Sequence, residues 1–187
     1  MNILANLHLI LRYLDMIKDT KDRPSILRNA LKMQPHPEGG YYCRTYESGF
    51  SLRKDALPEG FSSDRSLSSA IYFLLEGDEI SSLHRIKSDE IWHFYEGSPL
   101  QLSILSPSGG LNQRTLGPNI EFGEEFQIVV PAGMWMGARV CRAGSYSFFG
   151  CTVSPGFNLD DFELGQKEHL LKLFPEHKAL INALSPR

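Results

Sequence analysis

Between Tyr41 and Val153 the chain is a succession of short β-branched and aromatic runs, each closed by a turn signal. The runs are Tyr41 to Glu47, Ser69 to Leu75, Ile80 to Ile86, Glu90 to Tyr95, Pro99 to Leu105, Leu111 to Leu116, Phe126 to Val130, Trp135 to Cys141 and Tyr146 to Val153. Gly, Pro, Ser and Asp cluster between them, as in Glu76-Gly77-Asp78, Pro131-Ala132-Gly133 and Arg142-Ala143-Gly144. Short strands at such spacing predict a mainly β, antiparallel sandwich or barrel. Helical spacing occurs only at the two ends. Leu4, Leu7, Leu11 and Leu14 predict an amphipathic helix over Asn2 to Lys18, and Pro24 opens a second over Ser25 to Lys32. Two short helices are expected over Gln166 to Leu173 and Glu176 to Leu184. We read residues 1–22 as a helical extension and 23–187 as one β domain with C-terminal helices.

A formal net charge of −3 leaves no basic footprint for nucleic acid, and no apolar run reaches membrane-spanning length. The N-terminus lacks a basic start and a small-residue cleavage site, so a cytoplasmic location is expected. Cys43, Cys141 and Cys151 are an odd set without close pairing, which reads as free thiols. As nucleophiles Cys43 and Cys151 lack a sequence-local His, and they read as small core residues.

The chemistry concentrates between Ser69 and Gly97, where a hairpin carries His84 near the end of one strand and Glu90 at the start of the next. Alternation puts His84 on a face with Ser82 and Ile86, and Glu90 on a face with Trp92 and Phe94. His93 falls on the face opposite Glu90. Upstream, Gln34-Pro35-His36-Pro37-Glu38-Gly39-Gly40 breaks the chain, and its glycines permit unusual torsions or a close backbone approach. The strand after it carries Tyr42, Arg44 and Tyr46 on one face, a surface able to hold an anion or a polar ring. The candidate catalytic residues are His84, Glu90 and Tyr46; the candidate substrate-binding residues are Arg44, Tyr42, Ser82, Trp92 and Glu38. A partly buried His near a carboxylate suits proton transfer near neutral pH. His84 and Glu90 could supply two metal ligands, and His36 could join them only through the fold. Two ligands do not hold a metal tightly, so no metal or other cofactor is expected.

Gly77, His84, Glu90 and Gly97 resemble the first motif of the cupins, and Pro131-Ala132-Gly133 is similar to the start of the second. The gap from Gly77 to His84 is one residue longer than the usual form. HPEGGYYCRTY, VVPAGMWMGARV and FFGCTVSPGFNLDDFEL extend the likeness to an uncharacterised cupin subfamily of unknown function, from about Ile26 to the C-terminal helix. The resemblance implies a jelly-roll barrel, a homodimer and a pocket inside the barrel. It also implies four metal-ligand positions, of which two hold Ile86 and Met136 instead of His. Among cupins the metal-free precedent is the nucleotide-sugar 3,5-epimerase branch, related in architecture, where a His removes a proton beside a carbonyl and a Tyr acts across the ring. Carried over by position, His84 is the base, Glu90 or Asp161 orients it, and Arg44 holds negative charge. The expected ligand is a small molecule, a sugar or an anionic carbonyl compound. Three functions stay open: a metal-independent epimerase or isomerase, a non-catalytic binding or sensing cupin, and a metal-dependent enzyme with an irregular ligand set.

Overall fold

The structure, a computed structural model, describes residues 23–186. The helix expected within residues 1–22 lies outside them. The elements in order are α1 over residues 23–30, β1 (Gln34–Pro35), β2 (Tyr41–Glu47), β3 (Ser51–Leu52), β4 (Arg65–Ser66), β5 (Ser69–Glu76), β6 (Ile80–Arg85) and β7 (Asp89–Gly97). Then come β8 (Leu100–Leu105), β9 (Leu111–Leu116), β10 (Glu124–Glu125), β11 (Gln127–Val130), β12 (Trp135–Val140), β13 (Tyr146–Ser154), β14 (Glu163–Leu164), α2 (Lys167–Leu173) and α3 (Lys178–Ala183). Each strand expected from alternation is present to within two residues. The strands missed are two-residue pieces (β1, β3, β4, β10 and β14), too short to show a period.

Two six-stranded sheets form the body, ordered β1-β2-β5-β13-β7-β11 and β10-β9-β8-β12-β6-β14. Pairing is antiparallel except where β10 runs parallel to β9. Alternation sends one side of each strand into a shared core: Phe73 and Leu75 from β5, Trp92 from β7, Leu100 and Leu102 from β8, Met136 and Ala138 from β12, and Phe149 and Cys151 from β13. The opposite sides are covered by helices. α1 sets Leu27 against Leu74 and Phe148, whereas α2 and α3 set Leu170, Ile181 and Leu184 against Leu83, Leu105 and Trp135. Sheets with both faces covered explain why β8, β12 and β13 are buried along nearly their whole length. Among the described residues no helix is long and apolar enough to cross a membrane.

Two glycines press the tip of the β1–β2 hairpin onto both sheets. Gly39, at φ +111°, faces the Ile80 carbonyl so closely that a Cβ would lie 2.2 Å from its oxygen. Gly40, at φ +66°, would place a Cβ 2.6 Å from the Leu74 carbonyl oxygen. The Glu38 carbonyl in turn accepts from the Ser82 N–H at 2.8 Å. This docking delivers His36 and Glu38 to the interior. Gly39→Ala is therefore expected to cost about 3 kcal/mol or more. Gly60→Ala, at φ +102° with open space around it, should cost only about 1–2 kcal/mol. Urea unfolding measures both, and equal losses would mean that the Ile80 carbonyl gives way.

Candidate functional site

Between the sheets, beside the β1–β2 tip, lies a cavity of about 60 Å³ lined by His36, Glu38, Tyr42, Arg44, His84, Glu90 and Cys151 among others. Its centre is the carboxylate of Glu38, 5% exposed. Oε1 accepts from the Ser81 hydroxyl at 2.7 Å. Oε2 lies 3.2 Å from Nδ1 of His36 and 3.3 Å from Nε2 of His84. His84 is fixed from its other side, because its Nδ1 lies 2.8 Å from the Ser82 carbonyl oxygen. A carbonyl can only accept, so Nδ1 carries a proton and Nε2 is the atom at which His84 gains or loses one. Nδ1 of His36 also lies 3.4 Å from the Glu38 N–H. Protonated, it donates to the carboxylate; unprotonated, it accepts from the backbone.

Glu90, on β7, lines the cavity with its Oε2 buried and unpartnered. The Trp92 indole and the Cys151 thiol are nearby, yet Oε2 of Glu90 and Nε1 of Trp92 are both buried and unpartnered. Environment separates the two carboxyls. Burial pushes Glu90 up; the charge of His84 opposes this, and that of Glu38 adds to it. Burial would also raise Glu38, but His84, His36 and Ser81 together hold it below its ordinary value. The Cys151 thiol is pushed well up by burial and then by Glu90, which keeps it from thiolate chemistry.

The structure sorts the sequence candidates. His84, Glu90, Glu38, Arg44 and Tyr42 all line the cavity. Arg44 reaches it from an exposed position, with Nη1 donating to Glu47 at 2.7 Å. The Tyr42 hydroxyl accepts from Gln34 at 3.0 Å, and its ring meets His36 edge-on. Tyr46 is not in the lining. The register of β2 against β5 slips between Arg44 and Tyr46, so the shared face ends at Arg44 and Tyr46 is 54% exposed. Ser82 acts through its backbone. Against β12, Met136 pairs with His84 and Ala138 with Ser81, so β6 carries an extra residue and Ser81 supplies the hydroxyl. Trp92 belongs to the core, stacked on Phe149 at 4.9 Å. His93 lies away from the cavity, bonded to Thr152 and Gln127. Neither carboxylate expected to orient His84 does so by a hydrogen bond. Asp161 is taken by Arg65, at 2.6 and 2.8 Å, and by Lys87. The partner is Glu38, which the sequence reading placed among substrate-binding residues. His36, Phe157 and Phe162 also line it; the polar turn His-Pro-Glu-Gly-Gly was the available signal for the first.

The donor set does not fit a cupin-type metal centre. Ile86 and Met136 are packed in the core, and Nε2 of His84 faces Glu38. Among the described residues no three His, Cys, Asp or Glu side chains converge in a metal-binding arrangement.

With this geometry in place, comparison with known proteins gives the class. The chain belongs to the cupin superfamily, in the family described as Cupin_5 (DUF985), whose model matches residues 26–165. A solved structure of a protein from Shewanella oneidensis is 39% identical, with a TM-score of 0.76 over 86% of this chain and 95% of that one. A hypothetical protein from Leishmania major is 32% identical, with a TM-score of 0.78 over 87% and 98%. An uncharacterised protein of Saccharomyces cerevisiae is 26% identical over 155 residues, 78% of this chain and 77% of its own length.

The two carboxyls generate a prediction of opposite signs. The folded-state pKa of Glu38 is depressed. Its contribution to stability is present above its unfolded value, about pH 4.5, and is lost as pH falls through the lower folded value. The folded-state pKa of Glu90 is raised, so its contribution is full below about pH 4.5 and is lost as pH rises through the folded value. Urea titrations across this range should show Glu90→Gln gaining on wild type as pH rises. The advantage of wild type over Glu38→Gln should shrink as pH falls. Curves parallel to wild type would mean that these carboxyls titrate as in the unfolded chain.

Proposed function

We propose that the protein is a metal-independent isomerase or epimerase acting on a small carbonyl compound, with the His84–Glu38 pair as its proton-transferring centre. The observation that carries this reading is the sharing of one Glu38 oxygen by two histidines inside the cavity, at 3.2 and 3.3 Å. With Nδ1 committed to Ser82, a proton taken from a carbon beside a carbonyl has one destination on His84, Nε2, where the Glu38 charge holds it. Burial raises the pKa of Glu90 in the same cavity, which favours its acid form. Two carboxyls pushed apart in this way divide acid and base roles between them. Arg44, at the edge of the lining, suits an anionic or sugar-like group on the substrate. Tyr42, which lines the cavity, replaces Tyr46 as the tyrosine available to the ring. The volume of about 60 Å³ is far below the roughly 300–1,000 Å³ of sites that engulf a drug-sized ligand. The enclosed part thus takes one small reacting fragment, and the rest of a larger substrate stays at the mouth.

A second reading, a binding cupin without turnover, draws on the same polar groups being satisfied by one another: Glu38 has both oxygens paired before any ligand arrives. Wash-in of solvent deuterium separates the two. With keto-sugars and small 2-oxo acids as probes, exchange is expected with at least one compound and in the presence of chelator. It should fall about 100-fold or more in His84→Ala, and Arg44→Met should weaken binding of anionic probes about 10-fold or more. No exchange with any probe, or exchange undiminished in His84→Ala, overturns the isomerase reading. Ligand-induced thermal shifts without exchange would then favour the binding protein.

A further inference from the structure

The segment after β13 crosses the cavity before joining the second sheet. It leaves at Ser154, contributes Phe157 and Phe162 to the cavity wall, and enters β14, where Leu164 pairs with His84 itself. The ring of Phe162 lies over that of His84, with centroids 5.4 Å apart and planes 29° apart, and meets His36 edge-on at 5.9 Å. The chain on each side of Phe162 is fastened. Glu163 pairs with Arg85 at 2.6 Å. Asp161 takes two bonds from Arg65, and Nζ of Lys87 lies 3.3 Å from it.

The Arg65–Asp161 pair is buried, its side chains 1% and 3% exposed. Arg65 also donates to Ser63 and to the Asp64 carbonyl, and Lys87 donates to the Gly60 carbonyl. One carboxylate thus ties together three segments: the loop before β5, the β6–β7 turn lying between His84 and Glu90, and the strap bearing Phe162. A buried ion pair adds little net stability over an apolar pair of the same volume, but its two-pronged geometry fixes orientation. The next residue along the strap is the one stacked on the working imidazole.

We propose that Asp161, through Arg65 and Lys87, is a positioning residue for His84. It holds Phe162 against the ring face, so that the stack and the Nδ1–Ser82 bond together aim Nε2 at Glu38. The role assigned to that aim rests on the His84–Glu38 reading above; the positioning itself does not.

The test uses the full chain and the side-chain proton resonances of His84, identified by their loss in His84→Ala. A stacked Phe162 displaces them upfield by its ring current, and Phe162→Leu supplies the reference without it. In the double variant Arg65→Met/Asp161→Leu, which leaves no unpaired buried charge, the displacement is expected to be lost to the Phe162→Leu position while the melting temperature stays near that of wild type. Asp161→Glu, which keeps the charge but lengthens the arm, should reduce the displacement, and it decides the matter if the double variant does not fold. Wild-type His84 resonances in a folded Asp161→Glu or double variant overturn the proposal, because a knot serving stability alone would leave the ring undisturbed. The measurement needs no substrate. Failure to find deuterium exchange therefore overturns the isomerase reading without touching this one.

Discussion

Removing the Glu38 carboxylate from water costs about several kcal/mol in hydration, and the surrounding structure is arranged to offset that cost. Ser81 satisfies one oxygen and the two histidines approach the other. None of these donors is close to Glu38 by local sequence geometry alone. His36 comes within reach through the turn that Gly40 closes, where the His36 N–H donates to the Gly40 carbonyl. Ser81 and His84 come from the opposite sheet, and Gly39 permits the contact because it has no Cβ to strike the Ile80 carbonyl. The site therefore depends on a backbone approach before it depends on any side chain.

Two irregular strands refine what that approach delivers. In an even strand, residues three apart point to opposite sides. The extra residue in β6 brings Ser81 and His84 to the same carboxylate, while Leu83 still packs under the C-terminal helices. In β2 the slip after Arg44 does the reverse, keeping Tyr42 and Arg44 at the cavity and turning Tyr46 to solvent. Bulges of this kind re-aim side chains without breaking the sheet.

These irregularities also mark where the sequence is legible. Alternation and turn residues gave the long strands, because a two-residue period needs only four or five residues to show itself. The same period placed Glu90 inward and His93 outward, where the structure has them. It failed at Ser82 and Tyr46, since a bulge leaves no mark in the pattern of apolar and polar residues. It also could not join Glu38 to His84, forty-six positions apart by number, because that contact is made across two sheets by a turn. Asp161 misled for a related reason. A carboxylate in the tail is free to meet His84 in the sequence, but Arg65 and Lys87 reach it first.

Glu90 then becomes intelligible through what Glu38 already occupies. The cupin motif places an acidic residue opposite a histidine, and in this chain the imidazole nitrogen that would meet it is turned to Glu38. Glu90 is left at 7% exposure with Oε2 unpartnered and a like charge nearby. Burial raises its pKa, against the charge of His84 and with that of Glu38. Ile86 and Met136 pack into the core, and the carboxylate beside Nε2 of His84 is that of Glu38. The carboxylate that faces the histidine comes from the hairpin tip, whereas burial raises the pKa of the motif's own carboxyl.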